Sequence, residues 1–531
     1  MKIRVSLILF FASLFVCKLH ADDGYKRNLK VDIIHYEFNI NVNDSTDRIE
    51  GKAVIEVKFL NPVDLISFDL SNSDSTGRGM IVSDVSINSE RVKWIHENNR
   101  LSIYFRNPII KGDTLSFVIC YSGIPSDGLI ISENKFGKRT FFADHWPDRA
   151  HNYLPCIDHP YDKATVDFLI TAPSEYKVVA SGIIAEEPVI QGNNTTTHWY
   201  EQVPLATKVM AFGVADFSVQ NSGTVKNIPV SSWVFPENSK EGFSDYSIAL
   251  KPLEYYNNVI GDYPYQKLAN VQSKTIYGGL ENAGTIFYSE NSVTGLGRAE
   301  GLIAHEIAHQ WFGNCVTESD WHHIWLSEGF ATYLTSMYFE SFQGKERLKS
   351  DMISARNRVI RYSEKENKPV IDTTVRNYME LLNPNSYQKG AWFLHMLRHE
   401  MGDEVFIKGL KLFYNRYNNS NIDTDGFRKV MEEVSQKDLT SFFDQWLKTP
   451  GEPALLITHK RLRNNMTEIT VEQKQDNLFS FDLELSIRDL SGDFIKSIQV
   501  KERITKVRIR SENISGVIPD PNVLLLYKRI E

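Results

Sequence analysis

The chain has 531 residues, 42% of them hydrophobic and 24% charged, with no low-complexity tract and no repeat of fixed period. That length exceeds what one hydrophobic core organises, so several domains are expected and disordered or solenoid classes are excluded. A formal charge of −8 without a basic stripe excludes nucleic acid as a partner.

In chain order, the first segment has the pattern of an export signal. Met1-Lys2-Ile3-Arg4 is a short basic start, residues 5–16 are an apolar run, and Ala21 is a small residue at a cleavage position. The run is shorter than the roughly 20 residues of a membrane-spanning helix. A signal peptide over 1–21, no transmembrane segment, and a secreted or periplasmic protein are therefore expected. Cys17, in Leu14-Phe15-Val16-Cys17, leaves a lipoprotein anchor as the alternative. Cys120, Cys156 and Cys315 remain beyond the signal, an odd number that allows at most one disulfide and fits buried thiols better than a disulfide scaffold.

From residue 22 to 219 the hydrophobic period is mostly two. Tyr36, Phe38, Ile40 and Val42 alternate with polar residues, as do Ala53, Ile55, Val57 and Phe59, which predicts antiparallel sheet with one wet face. Over 220–448, and clearly beyond about residue 237, the pattern turns helical, with helices predicted over 299–312, 326–342, 390–401 and 424–447. Thr449-Pro450-Gly451-Glu452-Pro453 then breaks the helices. Alternation returns over 449–531, with Phe481, Leu483, Leu485 and Ile487 on one face. The fold class is multidomain α+β.

The middle segment carries the chemistry. His305-Glu306-Ile307-Ala308-His309 places two imidazoles one helical turn apart on the same face, where both can reach one metal ion, with Glu306 beside them to hold a water. A catalytic zinc site commonly has three protein ligands and an open position. Glu328, 19 residues after His309 at the start of the next predicted helix, is the candidate third, since a helical hairpin of that length can return its carboxylate. A His-His-Glu set suits zinc better than magnesium or copper. Taken singly, Glu328 would read as a first-turn acid favoured by the helix dipole. The adjacent His322 and His323 read as packing or surface.

These residues, with Gln310-Trp311-Phe312-Gly313-Asn314 and the stretch 325–333, closely resemble the gluzincin aminopeptidases, the family of aminopeptidase N and leukotriene hydrolase. Gly278-Gly279-Leu280-Glu281-Asn282 is similar to the family's exopeptidase motif, and Tyr387-Gln388-Lys389-Gly390 to its Y-x-K-G. Leu154-Pro155-Cys156-Ile157-Asp158-His159-Pro160 and Gln445-Trp446-Leu447 fall in the family's order as well. Leu280 stands where Met is usual, and Ser327 where Asn is usual.

The resemblance implies an N-terminal β saddle domain, a thermolysin-like and mainly helical catalytic domain, and a small C-terminal β-sandwich. It also implies one zinc per chain, held by His305, His309 and Glu328, with Glu306 as the base that takes a proton from the attacking water and Tyr387 as a donor to the oxyanion. Glu281 would bind the substrate's α-amine, with Gly278, Gly279, Asn282 and Tyr277 lining the substrate site. Peptides with a free α-amine are the expected partners, and self-association stays open. Many relatives continue into a helical domain past the point matching Glu531, which predicts a more open cleft here. Three rivals stay open at this point: an endopeptidase with the same metal site, an epoxide hydrolase side activity, and a non-catalytic peptide binder.

Overall fold

A computed structural model describes residues 23–489, 492–511 and 514–531. The expected export signal, Cys17 included, lies outside the described residues. Among these residues no helix is long and apolar enough to cross a membrane.

The N-terminal domain is built on a large twisted sheet. Its central strands are β1 (Val31–Asn41), β2 (Ile49–Phe59), β3 (Gly79–Ile87), β4 (Thr114–Ile124), β5 (Ala164–Pro173) and β6 (Asn194–Leu205), in the order β6-β5-β1-β2-β4-β3. The alternation read from the sequence appears as strict burial of Tyr36, Phe38 and Ile40 and of Ala53, Ile55 and Val57. One expectation needs correction: β1 and β5 pair in parallel, with Phe38 opposite Phe168, so the sheet is not wholly antiparallel. More than 120 residues separate those strands, and a period of two carries no information on strand direction. A second sheet, of four strands, contains Arg139–Ala143, which delivers Asp144, His145 and Trp146 to the domain boundary.

The middle region opens with a five-stranded sheet rather than turning helical at once. It comprises β7 (Ser218–Val225), β8 (Ile228–Val234), β9 (Leu268–Ser273), β10 (Gly279–Leu280) and β11 (Thr285–Ser289), in the order β7-β8-β9-β11-β10. Every residue of β9 is buried, so that strand shows no alternation to read. The helices that frame the site are α1 (Glu300–His309), α2 (Trp325–Gln343), α3 (Lys345–Ser363) and α4 (Gly390–Met401). The helix predicted over 424–447 is divided. It stops at Ser435, where Gln436 takes a left-handed conformation (φ 55°), and resumes at Thr440.

Beyond residue 453 two small sheets form the C-terminal domain, of four and three strands, with Leu483, Leu485, Ile487 and Val471 fully buried. The three parts are tied by buried polar contacts. Lys163 Nζ, in the N-terminal domain, donates to Asn314 O (3.0 Å), Cys315 O (2.8 Å) and Thr317 Oγ1 (2.9 Å) just past α1. Lys208 makes a buried ion pair with Glu318. On the other side Lys389 Nζ donates to Gly451 O at 2.7 Å.

Candidate active site

The helix α1 carries His305 and His309 on one face. Their Nε2 atoms stand 3.1 Å apart, and Glu328 Oε2 lies 3.4 Å from the first and 3.3 Å from the second. Glu328 arrives from the first turn of α2, as the hairpin argument expected. Ligand atoms bound at about 2.0–2.1 Å to a tetrahedral zinc ion are separated by about 3.3–3.4 Å. Three donor atoms at that spacing, with Glu328 Oε2 buried and accepting no hydrogen bond, fit a zinc ion. Ser327 Oγ lies 2.9 Å from His309 Nδ1 and fixes that ring from behind.

A cavity of about 240 Å³ opens in front of this triad. Glu306, 4% exposed, lies against it. Burial raises the Glu306 carboxyl well above its ordinary range, against the pull of His309, while Glu281 and Glu328 push it further up. A carboxylate with raised proton affinity is what a general base requires.

Gly279 is where the two motifs touch. A Cβ there would sit 2.3 Å from Glu306 Oε1, 2.6 Å from its Cδ and 2.7 Å from its Cγ. Glycine thus lets β10 press directly on the Glu306 carboxylate. Among the described residues β10 pairs with β11 alone, and both its residues line the cavity.

Glu281 lies at the end of β10. It is 5% exposed and its Oε1 has no partner. Ligand atoms of Glu281, His309 and Glu328 lie within 4.8 Å of one another. Its carbonyl oxygen is gripped by Gln310 Nε2 (2.8 Å) and Asn314 Nδ2 (2.7 Å), both side chains fully buried, so the strand bearing Glu281 is bolted to the metal helix.

Tyr387 belongs to a π-helical turn, Asn385–Lys389, that leads into α4. Its ring stacks on His305, with centroids 6.1 Å apart and planes at 11°. Gly390 and Gly329 explain the approach: a Cβ on Gly329 would fall 2.9 Å from Gly390 Cα, so only paired glycines let α2 and α4 bring Glu328 and Tyr387 together.

Tyr277, Gly278, Gly279, Glu281, His305, Glu306, His309, Glu328 and Tyr387 all line the one cavity. Asn282 does not. It is 1% exposed and lies behind the strand, where its carbonyl accepts from Thr285 N at 3.0 Å. Buried at a turn and outside the cavity lining, Asn282 is not brought to the substrate site with the other expected residues. His322 and His323 bond Val375 O (3.2 Å) and Thr424 Oγ1 (2.9 Å) and stay out of the site.

Family comparisons agree with this geometry. A model described as the Peptidase M1 N-terminal domain matches residues 33–209, and one described as the Peptidase family M1 domain matches residues 245–446. The chain belongs to the M1 peptidase family. Among curated proteins this M1 peptidase is similar to aminopeptidase 2, mitochondrial, of Saccharomyces cerevisiae, 25% identical over 80% of this chain and 47% of that protein. It is also similar to that organism's alanine/arginine aminopeptidase (23%, 93% and 60%) and to human glutamyl aminopeptidase (28%, 61% and 35%). It thus spans between about a third and three fifths of these relatives' length. The M1 zinc metallopeptidase from Deinococcus radiodurans shares its fold, with a TM-score of 0.68 and 23% identity over 79% of this chain and 94% of that one.

Sequence reasoning missed several residues of the M1 peptidase's site. Trp146, Leu302 and Leu382 also line the cavity. Trp146 comes from the N-terminal domain, and its carbonyl accepts from Tyr277 Oη at 3.2 Å. His145 beside it is fully buried between Thr207 O (3.0 Å) and Tyr153 Oη (2.7 Å), which steadies the segment. Leu302 was reachable in principle, one turn before Glu306 on the same helix. Nothing in the local sequence marks Trp146.

Proposed function

We propose that this M1 peptidase is a zinc-dependent aminopeptidase that removes single residues from peptides with a free α-amine, with one zinc per chain. Glu281 carries the reading. A buried carboxylate with an open oxygen, set within 4.8 Å of the metal-ligand atoms, suits a charge-assisted hydrogen bond to an ammonium group. The amine nitrogen and carbonyl carbon of one residue are about 2.5 Å apart, whereas a second residue adds up to about 3.5 Å. One residue therefore fits between Glu281 and the metal position, and two do not.

Zinc, when bound, supplies a Lewis acid that polarises the scissile carbonyl and acidifies the attacking water. His305, His309 and Glu328 hold it, and Ser327 keeps His309 aimed. Glu306 takes the proton from the water and hands it to the departing amine. The Tyr387 hydroxyl donates to the oxygen that gains charge as the carbonyl carbon becomes tetrahedral. The open edge of β10 offers backbone groups to an extended substrate, with Gly279 keeping that edge tight against Glu306. Trp146, Tyr277, Leu280 and Leu382 surround the first side chain. The pattern of residues 1–21 supports a secreted or periplasmic location for this activity.

The test is a panel of aminoacyl coumarylamides beside N-acetylated peptides, with and without a chelator. Free-amine substrates should lose only their first residue, acetylated ones should be nearly inert, and chelation should abolish turnover. Glu306→Gln should keep its zinc and lose several orders of magnitude in rate. Release of internal fragments from acetylated peptides would replace this reading by an endopeptidase.

A further inference from the structure

His305, Tyr387 and Leu302 line a second cavity as well as the catalytic one, so the two spaces adjoin at those side chains. The second cavity, about 630 Å³, lies between α1, α2 and α3. Thr332, Thr335 and Ser336 of α2 give it hydroxyls.

Its fixed charges are unequal. Arg347 is committed: its Nε donates to both Asp351 oxygens (2.9 and 3.0 Å), one terminal nitrogen donates to Gln343 Oε1 (2.8 Å), and its guanidinium lies 4.2 Å from the centre of the Phe339 ring. That pairing uses Asp351, the one carboxylate in the lining. Arg358, on α3, is left exposed, with no hydrogen bond or ion pair to any described residue. The catalytic cavity has the opposite character, with Glu281, Glu306 and Glu328 in its lining. The two adjoining cavities therefore differ in character, with carboxylates lining the first and an unpaired guanidinium in the second.

A short peptide has the complementary polarity, an ammonium at its start and a carboxylate at its end. We propose that the second cavity receives the substrate beyond the scissile bond and that Arg358 there binds a carboxylate. The carboxylate is either the C-terminus of a short peptide or an acidic side chain of a longer one. A planar guanidinium offers two parallel N–H donors to either. The inference rests on the aminopeptidase reading, which sets the amine at Glu281 and so sends the remainder of the chain past His305 and Tyr387.

The experiment compares a tripeptide acid, its C-terminal amide, and amidated pentapeptides with and without Asp at the second to fourth positions. Zinc-loaded wild type and Arg358→Ala are assayed for turnover, and the Glu306→Gln protein, with and without Arg358→Ala, for binding by calorimetry. Wild type should favour the acid over the amide by about five- to tenfold in KM with kcat little changed, and the preference should shrink in high salt because Arg358 is exposed. Arg358→Ala should bring the ratio to about one, and Arg358→Lys should restore part of it. A preference confined to the tripeptide assigns the C-terminal carboxylate, and one confined to Asp-bearing amides assigns a side chain. Equal KM and equal binding for acid, amide and Asp-bearing peptides would overturn the proposal. So would an Arg358→Ala loss that falls alike on all peptides and on an aminoacyl coumarylamide. Failure of the aminopeptidase reading registers separately, as absence of coumarylamide turnover by wild type.

Discussion

The contact between Gly279 and Glu306 allows the assignment of the base to be tested without touching the base. The backbone at Gly279 is not in the left-handed region, so alanine is tolerated by the chain itself. The added Cβ would meet Glu306 Oε1 at 2.3 Å, Cδ at 2.6 Å and Cγ at 2.7 Å. Ordinary contact requires about 3.5 Å, so the carboxylate must retreat by about 1 Å. A flexible side chain can make that move at little cost to the fold. Catalysis tolerates it poorly, because a displacement of about 1 Å costs on the order of 100-fold in rate, or about 2.7 kcal/mol of barrier. Gly279→Ala should therefore lower kcat by about 100-fold while zinc content stays at that of wild type and Tm falls by no more than a few degrees. Turnover of a free-amine coumarylamide, metal analysis and thermal unfolding read the three quantities. Unchanged kcat would mean that the carboxylate pressed against Gly279 is not the base. A collapse of Tm would mean that β10 cannot accept any side chain, and the argument from a movable carboxylate would fail.

Three further outcomes are expected. Tyr387→Phe, which removes one hydroxyl and keeps the ring stacked on His305, should lower kcat by on the order of 100-fold with KM little changed; a loss confined to KM would make Tyr387 a substrate-positioning residue. Ser327→Ala should weaken zinc affinity by about 10–100-fold in a chelator competition, because His309 loses the partner that fixes its orientation, and unchanged affinity would refute that role. Burial pushes the Asp162 carboxyl up to about 8, so the folded protein holds a proton there that the unfolded chain releases near 4. The stability tied to that proton is full below about pH 4 and is lost as pH rises to 8. Asp162→Asn, which keeps the acceptor facing Ile33 N, should gain Tm over wild type at pH 8.5 and little at pH 5; a pH-independent difference would refute the shift.

The part of the site legible in the sequence was the part set by local geometry. His305 and His309 are one turn apart, so their convergence follows from the helix alone, and Glu328 follows from one hairpin. Glu281 and Tyr387 were reached only through resemblance, because nothing local tells a buried carboxylate with an open oxygen from a solvated one. The paired glycines 329 and 390 that seat Tyr387 are 61 positions apart, and their meaning appears only once α2 and α4 are packed. Trp146 was invisible for the same reason, being 159 residues before His305 and carried in by a different domain. Among the strands, β1 and β2 announced themselves by alternation, whereas β9, buried on both faces, had none to show.

The grip of Lys163 on the turn after α1 bears on how the two halves of the protein come together during synthesis. The N-terminal domain leaves the ribosome first, and its lysine waits for acceptors made some 150 residues later. Water satisfies the ammonium until Asn314 and Cys315 present their carbonyls, after which it braces the turn that carries Asn314, whose side chain holds the carbonyl of Glu281. A second half without the N-terminal domain would keep both histidines and the contacts of Gln310 and Asn314 to Glu281, and would lose the outer brace on that turn. On the reading of Glu281 as an amine clamp, docking of the two halves would then steady the clamp as well as the fold.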